Sequence, residues 1–480
     1  MCSITGVVYP KAGNSTIHEE IGQRVMATIY RAEDRGRDSW GYAMIFQNPQ
    51  IPPSLKRWTS APSQLSTVIP EMSHPGASVL INNNRAEPTT EYVKTKFLED
   101  VQPYRSGGWY VVHNGTIAND KELKEGYGIS VDTSIDSAVI PALLNTALSD
   151  DNFTAEDVAR VLTQEVIGSY SLAIMHYKHP GKVILACNYK PLYLGYHPQS
   201  KYWMFSSQKE YITGKSIQRK LGCALTVEAI PPYSCVMVSN EMAPRDLEFL
   251  SLYPAKEGKP KALVVCSGGL DSTVVAAKAK KDGYDVTLLH FKYSCRAEEK
   301  EVIAIKKIAE YLSCEYMFVT TDIFKDVIKG SPLTGTGNEE IAYSQAGAEF
   351  AHEWVPARNL IMLSLATGIA ESHGFDTLML GNNLEESGAY PDNEMEFINK
   401  LNAVMPYSVA ANKRVTIQMP VGNLMKHEIV KLGLKVDAPL HLTWSCYEAG
   451  KLHCGVCGPC YMRRTAFAIN DTPEVINYEQ

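Results

Sequence analysis

The stretch Ala262-Leu263-Val264-Val265-Cys266-Ser267-Gly268-Gly269-Leu270-Asp271-Ser272-Thr273 decides the fold of half the chain. An apolar run of strand length ends in two glycines and leads into a helical pattern over 272–281. Glycines let a backbone approach a ligand closely, and the N-terminus of the following helix attracts anions. The segment therefore predicts a phosphate-binding loop, though one without the closing Gly-Lys-Ser/Thr of Walker A. Moving outward, strand-like DVTLLHF, a helix at 298–312, EYMFVTT, a helix at 359–373 and TLMLGNN follow in turn. That alternation predicts an α/β domain over 258–480, a parallel sheet with helices on both faces.

Upstream the pattern changes. Short strand-like runs alternate with turns: ITGVVY, ASVLIN, WYVVHNG, YSLAIMHY, KVILAC and KYWMFSS. Helices are expected near 17–33, 134–149 and 154–165. Strands with a few helices predict a layered α+β domain over 1–245. The segment 240–260, with three prolines and a polar exit, is expected to be the linker.

Bulk properties narrow the function classes. The chain is 45% hydrophobic and 21% charged, as globular proteins are. It has no apolar run of membrane-spanning length, so no membrane partner is expected. MCSITGVVYP lacks the pattern of a secretory signal, so a cytoplasmic location is expected. Net charge is −7 overall and −6 over 261–480 (21 basic against 27 acidic residues), which argues against a general nucleic-acid backbone binder. Eleven cysteines, four of them within 446–460, point to metal or catalysis rather than disulfides.

Cys2 follows the initiator methionine. Removal of Met1 would leave a thiol beside its own α-amine, whose pKa of about 7.7–8.0 suits a base. One residue would then supply nucleophile and base together. Further along come Asp34-Arg35-Gly36-Arg37-Asp38-Ser39-Trp40-Gly41, Asn84-Arg85-Ala86-Glu87-Pro88-Thr89, His113-Asn114-Gly115 and Asp136-Ser137. With Cys2-Ser3-Ile4-Thr5-Gly6, and in this order, they resemble the class II glutamine amidotransferase domain, an N-terminal-nucleophile hydrolase sandwich. The resemblance covers about residues 2–210. It implies that Cys2 attacks the glutamine amide, giving a thioester and ammonia. It implies an oxyanion hole from the Asn114 side chain and the Gly115 N–H, a role that needs donors already in place. It implies Arg85 on the glutamine carboxylate, where a planar guanidinium fits, and Asp136 on the α-ammonium. The chain departs from the family in NNNRAEP around Arg85 and in Ala138 after Asp136-Ser137.

Ser267-Gly268-Gly269-Leu270-Asp271-Ser272 resembles the pyrophosphate loop of PP-loop ATP pyrophosphatases. That resemblance implies ATP phosphates on the loop, Asp271 near Mg²⁺, and release of pyrophosphate after a substrate is adenylated. Lys426 resembles a downstream lysine of the class, placed to neutralise phosphate charge. Arg358 and Asn359, in VPARN, are candidates for phosphate or substrate.

Cys446, Cys454, Cys457 and Cys460 form C-x7-C-x2-C-x2-C. Four thiolates at short spacing suit a structural Zn²⁺ with no open position. An iron–sulfur cluster is the rival, but nothing else in the sequence calls for redox chemistry.

Two families join such halves. One is asparagine synthetase, which would give an amidotransferase acting on an amino-acid carboxylate and which lacks the cysteine cluster. The other is 7-cyano-7-deazaguanine synthase. Residues 261–468 resemble the second through Val355-Pro356-Ala357-Arg358-Asn359, Gly381-Asn382-Asn383, Gly388-Ala389-Tyr390-Pro391-Asp392, Leu442-Thr443-Trp444-Ser445-Cys446-Tyr447-Glu448 and the knuckle. The resemblance implies nitrogen transfer to the 7-substituent of a 7-deazaguanine, free or carried in tRNA or DNA. It adds Tyr390 and Asp392 to Arg358 and Asn359 as substrate-binding candidates. The product would be the 7-cyano compound or, as in fusions linked to archaeosine-type modification, the formamidine. The family's Gly-Gln-Arg-His is Ser294-Cys295-Arg296-Ala297 here, and Asn393-Glu394-Met395 also departs. Loss of a basic group favours a neutral nitrile substrate and the formamidine product.

Overall fold

The computed structural model describes residues 2–64, 70–87, 97–148, 151–213, 225–256, 258–328, 331, 333–334, 354–387, 390–410 and 413–479. Pro88, Thr89, Gly388 and Ala389 of the motifs above lie outside them. The chain divides into two compact units, Met1–Pro254 and Ala255–Gln480.

The strands of the first unit are β1 (Ser3–Val8), β2 (Ser39–Phe46), β3 (Ser54–Trp58), β4 (Ala77–Arg85), β5 (Tyr104–Ser106), β6 (Trp109–Ile117) and β7 (Gly168–His176). They continue as β8 (Lys182–Cys187), β9 (Tyr193–His197), β10 (Tyr202–Ser206), β11 (Thr226–Ala229), β12 (Ser234–Ser239) and β13 (Leu250–Ser251). Among the described residues they form two antiparallel sheets, ordered β11-β9-β10-β1-β4-β2-β3 and β13-β12-β8-β7-β6-β5. The sheets face each other across a core that includes Ile4, Val8 and Ile81 from one side and Val112, Ala173 and Leu185 from the other.

Each sheet's outer face is covered too. Val7, Tyr42 and Met44 pack under Ile21, Val25 and Ile29 of the helix Ser15–Ala32. Val111, Leu172 and Ile174 pack under the helices Val139–Ala147 and Ala155–Glu165. This four-layer αββα stack is the N-terminal-nucleophile hydrolase sandwich. Because β1 is covered on both faces, its residues are buried without alternation. The stretch 240–260 is not a free linker. Leu250 and Ser251 pair with β12, and Leu252 is buried in the core beneath the helix Ala155–Glu165. Apolar Leu250 and Leu252 gain more from that edge than a linker's freedom would return.

The second unit carries β14 (Lys261–Val265), β15 (Asp285–Lys292), β16 (Glu315–Thr320), β17 (Thr377–Met379) and β18 (Thr416–Gln418). They form a parallel sheet ordered β16-β15-β14-β17-β18. Ala262 and Val264 of β14 face a core shared with the helices Leu270–Lys281 and Lys426–Lys435. Leu263 faces the opposite core, shared with the helices Arg358–His373 and Met395–Ser408. The chain runs from β14 outward to β16, then returns to β14's other side with β17. Ligand crevices of open α/β sheets form at such switch points, beyond the strands' carboxyl ends.

Candidate active site

A cleft of about 290 Å³ lies where that rule places it, lined by the segments leaving β14 and β17. Ser267, Gly269, Asp271 and Ser272 form one wall. Gly268 has φ +76°, and a Cβ there would come within 3.0 Å of the Glu301 carbonyl, so both the turn and the space demand glycine. Gly269 caps the helix Leu270–Lys281, and its carbonyl accepts from Thr273 Oγ1 at 2.7 Å. The loop backbone thus enters the cleft at a helix N-terminus.

Charge is concentrated beside it. Lys426 Nζ donates to Asp271 Oδ2 at 2.5 Å and lies 3.5 Å from Glu386 Oε1. Asn383 Nδ2 donates to the same Asp271 oxygen at 3.2 Å. Burial alone would pull the Lys426 ammonium down, but Asp271 and Glu386 more than offset it and hold the group charged. Asp271 Oδ1 is buried and has no hydrogen-bond partner among the described residues. A buried carboxylate oxygen left over beside a phosphate loop fits a hard divalent cation that also binds phosphate oxygens.

The opposite wall includes Arg358 and Asn359, at the start of the helix Arg358–His373. Arg358 Nη1 donates to the Tyr293 hydroxyl at 3.4 Å. Asn359 Nδ2 donates to Asn393 Oδ1 at 2.8 Å, an oxygen that also accepts from Asn382 Nδ2 at 2.8 Å. Asp392 Oδ2 accepts from the Asn359 N–H. Asp392 and Tyr390 are not among the cleft-lining residues; Asp392 braces the helix start, and Tyr390 stacks on Trp354 at 6.3 Å.

The four knuckle cysteines do come together. Their Sγ atoms all lie within 4.8 Å of one another, with Cys446–Cys457 at 3.9 Å and Cys454–Cys460 at 4.0 Å. A tetrahedral site with metal–sulfur bonds of about 2.3 Å has sulfur–sulfur edges of about 3.8 Å, so the cluster fits a tetrahedral metal. Backbone N–H groups of Glu448 and Cys454 point at Cys446 Sγ at 3.3 and 3.4 Å, as they do at thiolates. Trp444, Ser445, Cys446 and Tyr447 all line the cleft, so the knuckle builds one of its walls. Buried Arg463 ties that segment down, donating to Thr443 Oγ1 at 2.5 Å and to the Leu440 carbonyl at 2.9 Å.

In the first unit Cys2 sits just before β1, which pairs with β4 in the register Ser3↔Asn84. Arg85 ends β4, is 5% exposed, and donates from Nη1 to the Asp100 carbonyl at 2.9 Å. Burial pushes the Cys2 thiol up, while the Arg85 guanidinium and a hydrogen bond from the Ala86 backbone pull it down. Asp136 acts on the same thiol in the opposite sense, so thiol, guanidinium and carboxylate share one neighbourhood. Asp136 Oδ2 accepts from the Ile117 N–H at 2.6 Å and Oδ1 from the Ser137 N–H at 2.7 Å, which fixes the carboxylate at the end of β6.

Asn114 and Gly115 lie on β6, opposite Ser171 and Tyr170 of β7. Gly115 has φ +152°, and a Cβ there would fall 1.8 Å from the Ser169 carbonyl. Asn83 Nδ2 donates to the His113 carbonyl at 3.0 Å, stitching β4 to β6 across the two sheets. Gly36 is required for a similar reason: a Cβ would meet the Asn84 carbonyl at 2.2 Å.

Several cleft residues carried no sequence signal. His290 and Glu301 are among them, and with Cys295 they line the wall between β15 and the helix Glu298–Leu312. Glu386 stands near Lys426 and lies just beyond the Gly381-Asn382-Asn383 segment in sequence. No helix among the described residues is long and apolar enough to cross a membrane.

Comparison with known proteins matches both units. A glutamine amidotransferase domain family matches residues 92–214, and the queuosine biosynthesis protein QueC family matches residues 261–471. The chain is 44% identical to the 7-cyano-7-deazaguanine synthase of Saccharolobus solfataricus and 43% identical to that of Sulfolobus acidocaldarius, covering 100% of both partners each time. A protein of the same name from Methanothrix thermoacetophila is 38% identical over 226 residues, 46% of this chain and 99% of its own. These full-length likenesses displace the asparagine-synthetase alternative. The chain is an ATP-dependent glutamine amidotransferase, and it belongs to the 7-cyano-7-deazaguanine synthase family in the form that carries its own glutamine amidotransferase domain.

Proposed function

We propose that the chain moves the amide nitrogen of glutamine onto the 7-substituent of a 7-deazaguanine at the cost of ATP, giving the 7-cyano compound. The observation that carries this reading is the shared cleft: a phosphate loop, a lysine–carboxylate pair and the guanidinium groups of Arg296 and Arg358 around one cavity. In the first unit Arg85 holds the glutamine carboxylate and Asp136 the α-ammonium. The Cys2 sulfur attacks the amide carbon, Asn114 and the Gly115 N–H hold the oxyanion, and ammonia leaves.

In the second unit Ser267, Gly268, Gly269 and Ser272 cradle the ATP phosphates. Asp271 is the ligand for Mg²⁺, which when bound shields phosphate charge. Lys426 draws off charge as pyrophosphate departs. Arg358 and Asn359 orient the substrate so that its carboxylate meets the α-phosphate, while Tyr390 and Asp392 support that wall from outside the cavity. Cys446, Cys454, Cys457 and Cys460 would hold Zn²⁺, which when bound would fix the wall Trp444–Tyr447. The Arg296 and Arg358 guanidinium groups in the cavity favour an anionic carboxylate, and hence the nitrile product.

A second reading has its own observation. Cys295 and Ala297 line the cleft where the family carries glutamine and histidine, which suits a neutral nitrile substrate and a formamidine product. Mass spectrometry decides between them. Carboxy- and cyano-deazaguanine, free or in RNA, are incubated with ATP, Mg²⁺ and amide-labelled glutamine. Label in the nitrile supports the proposal; label only in an amidine made from the cyano compound supports the second reading. Label in neither removes both.

A further inference from the structure

Glu301 lies in the cleft wall without an ionic partner closer than 3.8 Å among the described residues. Its surroundings are unusual for a carboxylate. The Cys295 thiol donates to Oε2 at 3.6 Å. From β15, His290 Nε2 stands 3.8 Å from the same oxygen. His290 Nδ1 is 3.0 Å from the Cys266 carbonyl, a group that only accepts, so the proton sits on Nδ1 and the Nε2 lone pair faces Glu301. Nε2 has no hydrogen-bond partner and is buried. Two acceptors therefore face each other 3.8 Å apart, and a proton on Glu301 would let them close to hydrogen-bond distance.

We propose that Glu301 is the proton acceptor for the nitrogen-transfer step, with His290 Nε2 as the group that receives the resulting acid's hydrogen bond. The proposal rests on the adenylation reading given above. In that step the ammonia nitrogen bonds to the acyl carbon of the adenylated substrate. The carbon–oxygen bond to AMP breaks, its electron pair leaving on the phosphate oxygen. The proton shed by the new carbon–nitrogen centre passes to the Glu301 carboxylate, so a neutral amide forms and AMP carries the charge; a second adenylation, on the amide oxygen, then lets that oxygen leave with AMP to give the nitrile.

The charged and titratable groups facing Glu301 fit this task. Burial pushes its carboxyl up to about 7; Cys295 and Arg358 pull it down, and Glu298 on its own helix pushes it up. His290 is itself held below its ordinary value by burial, so it stays neutral as an acceptor. A base titrating near the working pH transfers protons most effectively.

The test uses the full-length enzyme with ammonium as nitrogen source, so that glutamine hydrolysis plays no part. Glu301→Gln keeps the side-chain shape and an oxygen for Cys295. It should lower product formation about 10²-fold or more while substrate-dependent ATP–pyrophosphate exchange stays within about 3-fold. The acid limb near pH 7 in the wild-type rate profile should vanish, and Glu301→Asp should restore part of the rate with the limb present. Exchange and product formation falling together in both variants, or an unchanged rate with the limb intact, overturns the proposal. A wild-type enzyme that forms no nitrogen-bearing deazaguanine at all sinks the reading beneath it, and the proposal with it.

Discussion

Lys426 Nζ reaches Asp271 Oδ2 at 2.5 Å across 155 positions of sequence, joining the helix that starts at Leu270 to the one that starts at Lys426. Both side chains are nearly enclosed, at 11% and 14% exposure. Removing one partner of a buried pair strands the other, at a cost of about 3–5 kcal/mol. Lys426→Met should therefore destabilise the second unit by that order, read from urea unfolding. Pyrophosphate release should fall at least about 10²-fold, as when one charge-stabilising donor is removed. Glutamine hydrolysis at Cys2 should persist. Pyrophosphate release at the wild-type rate would refute a role on the phosphates.

The knuckle prediction concerns metal. The full-length protein should carry about one zinc per chain, colourless in the visible range. Cys454→Ser should lose it. Trp444 packs tilted against His453, ring centroids 4.2 Å apart, and lines the cleft, so its fluorescence should shift as metal leaves. Thiols must lose their protons to bind metal, so metal should also leave on acidification. Visible charge-transfer absorption, or full ATP turnover in zinc-free protein, would reject a structural zinc.

What the sequence disclosed followed from locality. Ser267–Ser272 and the four cysteines are short segments whose function is set by neighbours in the chain, so their spacing was enough. Cys2, Arg85, Asn114 and Asp136 are far apart, yet each sits in a recognisable local motif, and their order carried the rest. Glu301 had no such marker. In the run Glu298-Glu299-Lys300-Glu301 it reads as one more solvated charge on a helix, and only β15 packing alongside turns it inward. Asp392 shows the opposite case. Its motif marks it for the substrate, yet it lies outside the cleft-lining residues and its Oδ2 accepts from the Asn359 N–H, a placement that only the fold reveals. The edge strand Leu250–Ser251 was illegible because two residues carry no period, and a tertiary partner alone defines them.

Gly115 separates fold from chemistry in the first unit. With φ at +152° and the Ser169 carbonyl 1.8 Å from any Cβ, Gly115→Ala must displace β6 from β7. Backbone strain of this kind costs about 1–3 kcal/mol before the clash is counted. The variant should lose glutamine hydrolysis and lower the first unit's unfolding midpoint. Gly128→Ala, at φ +62° with open space around it, should cost about 1 kcal/mol and leave hydrolysis intact. Equal effects of the two substitutions would show that the β6–β7 approach is not the constraint.

His176 gives the first unit a pH dependence of known sign. Its ring is 5% exposed and meets Trp109 and Phe153 edge-on at 5.0 and 5.4 Å. Burial pulls it down to about 4, His179 adds to the effect, and Asp151 opposes it. The unfolded chain protonates this histidine near pH 6.5. Below that pH the unfolded state binds a proton that the folded state refuses, so folding loses stability as pH falls from about 6.5 towards 4. Between pH 7.5 and 5 the loss from this group is about 2 kcal/mol. Burial also lowers His113, which adds in the same direction. His176→Phe keeps the aromatic packing and removes the proton. Hydrogen exchange of β6 and β7 amides at pH 7.5 and 5, with intrinsic rates corrected, should show the wild type opening more easily at pH 5 and the variant losing about 2 kcal/mol less. Parallel losses in the two proteins would assign the acid sensitivity to other groups.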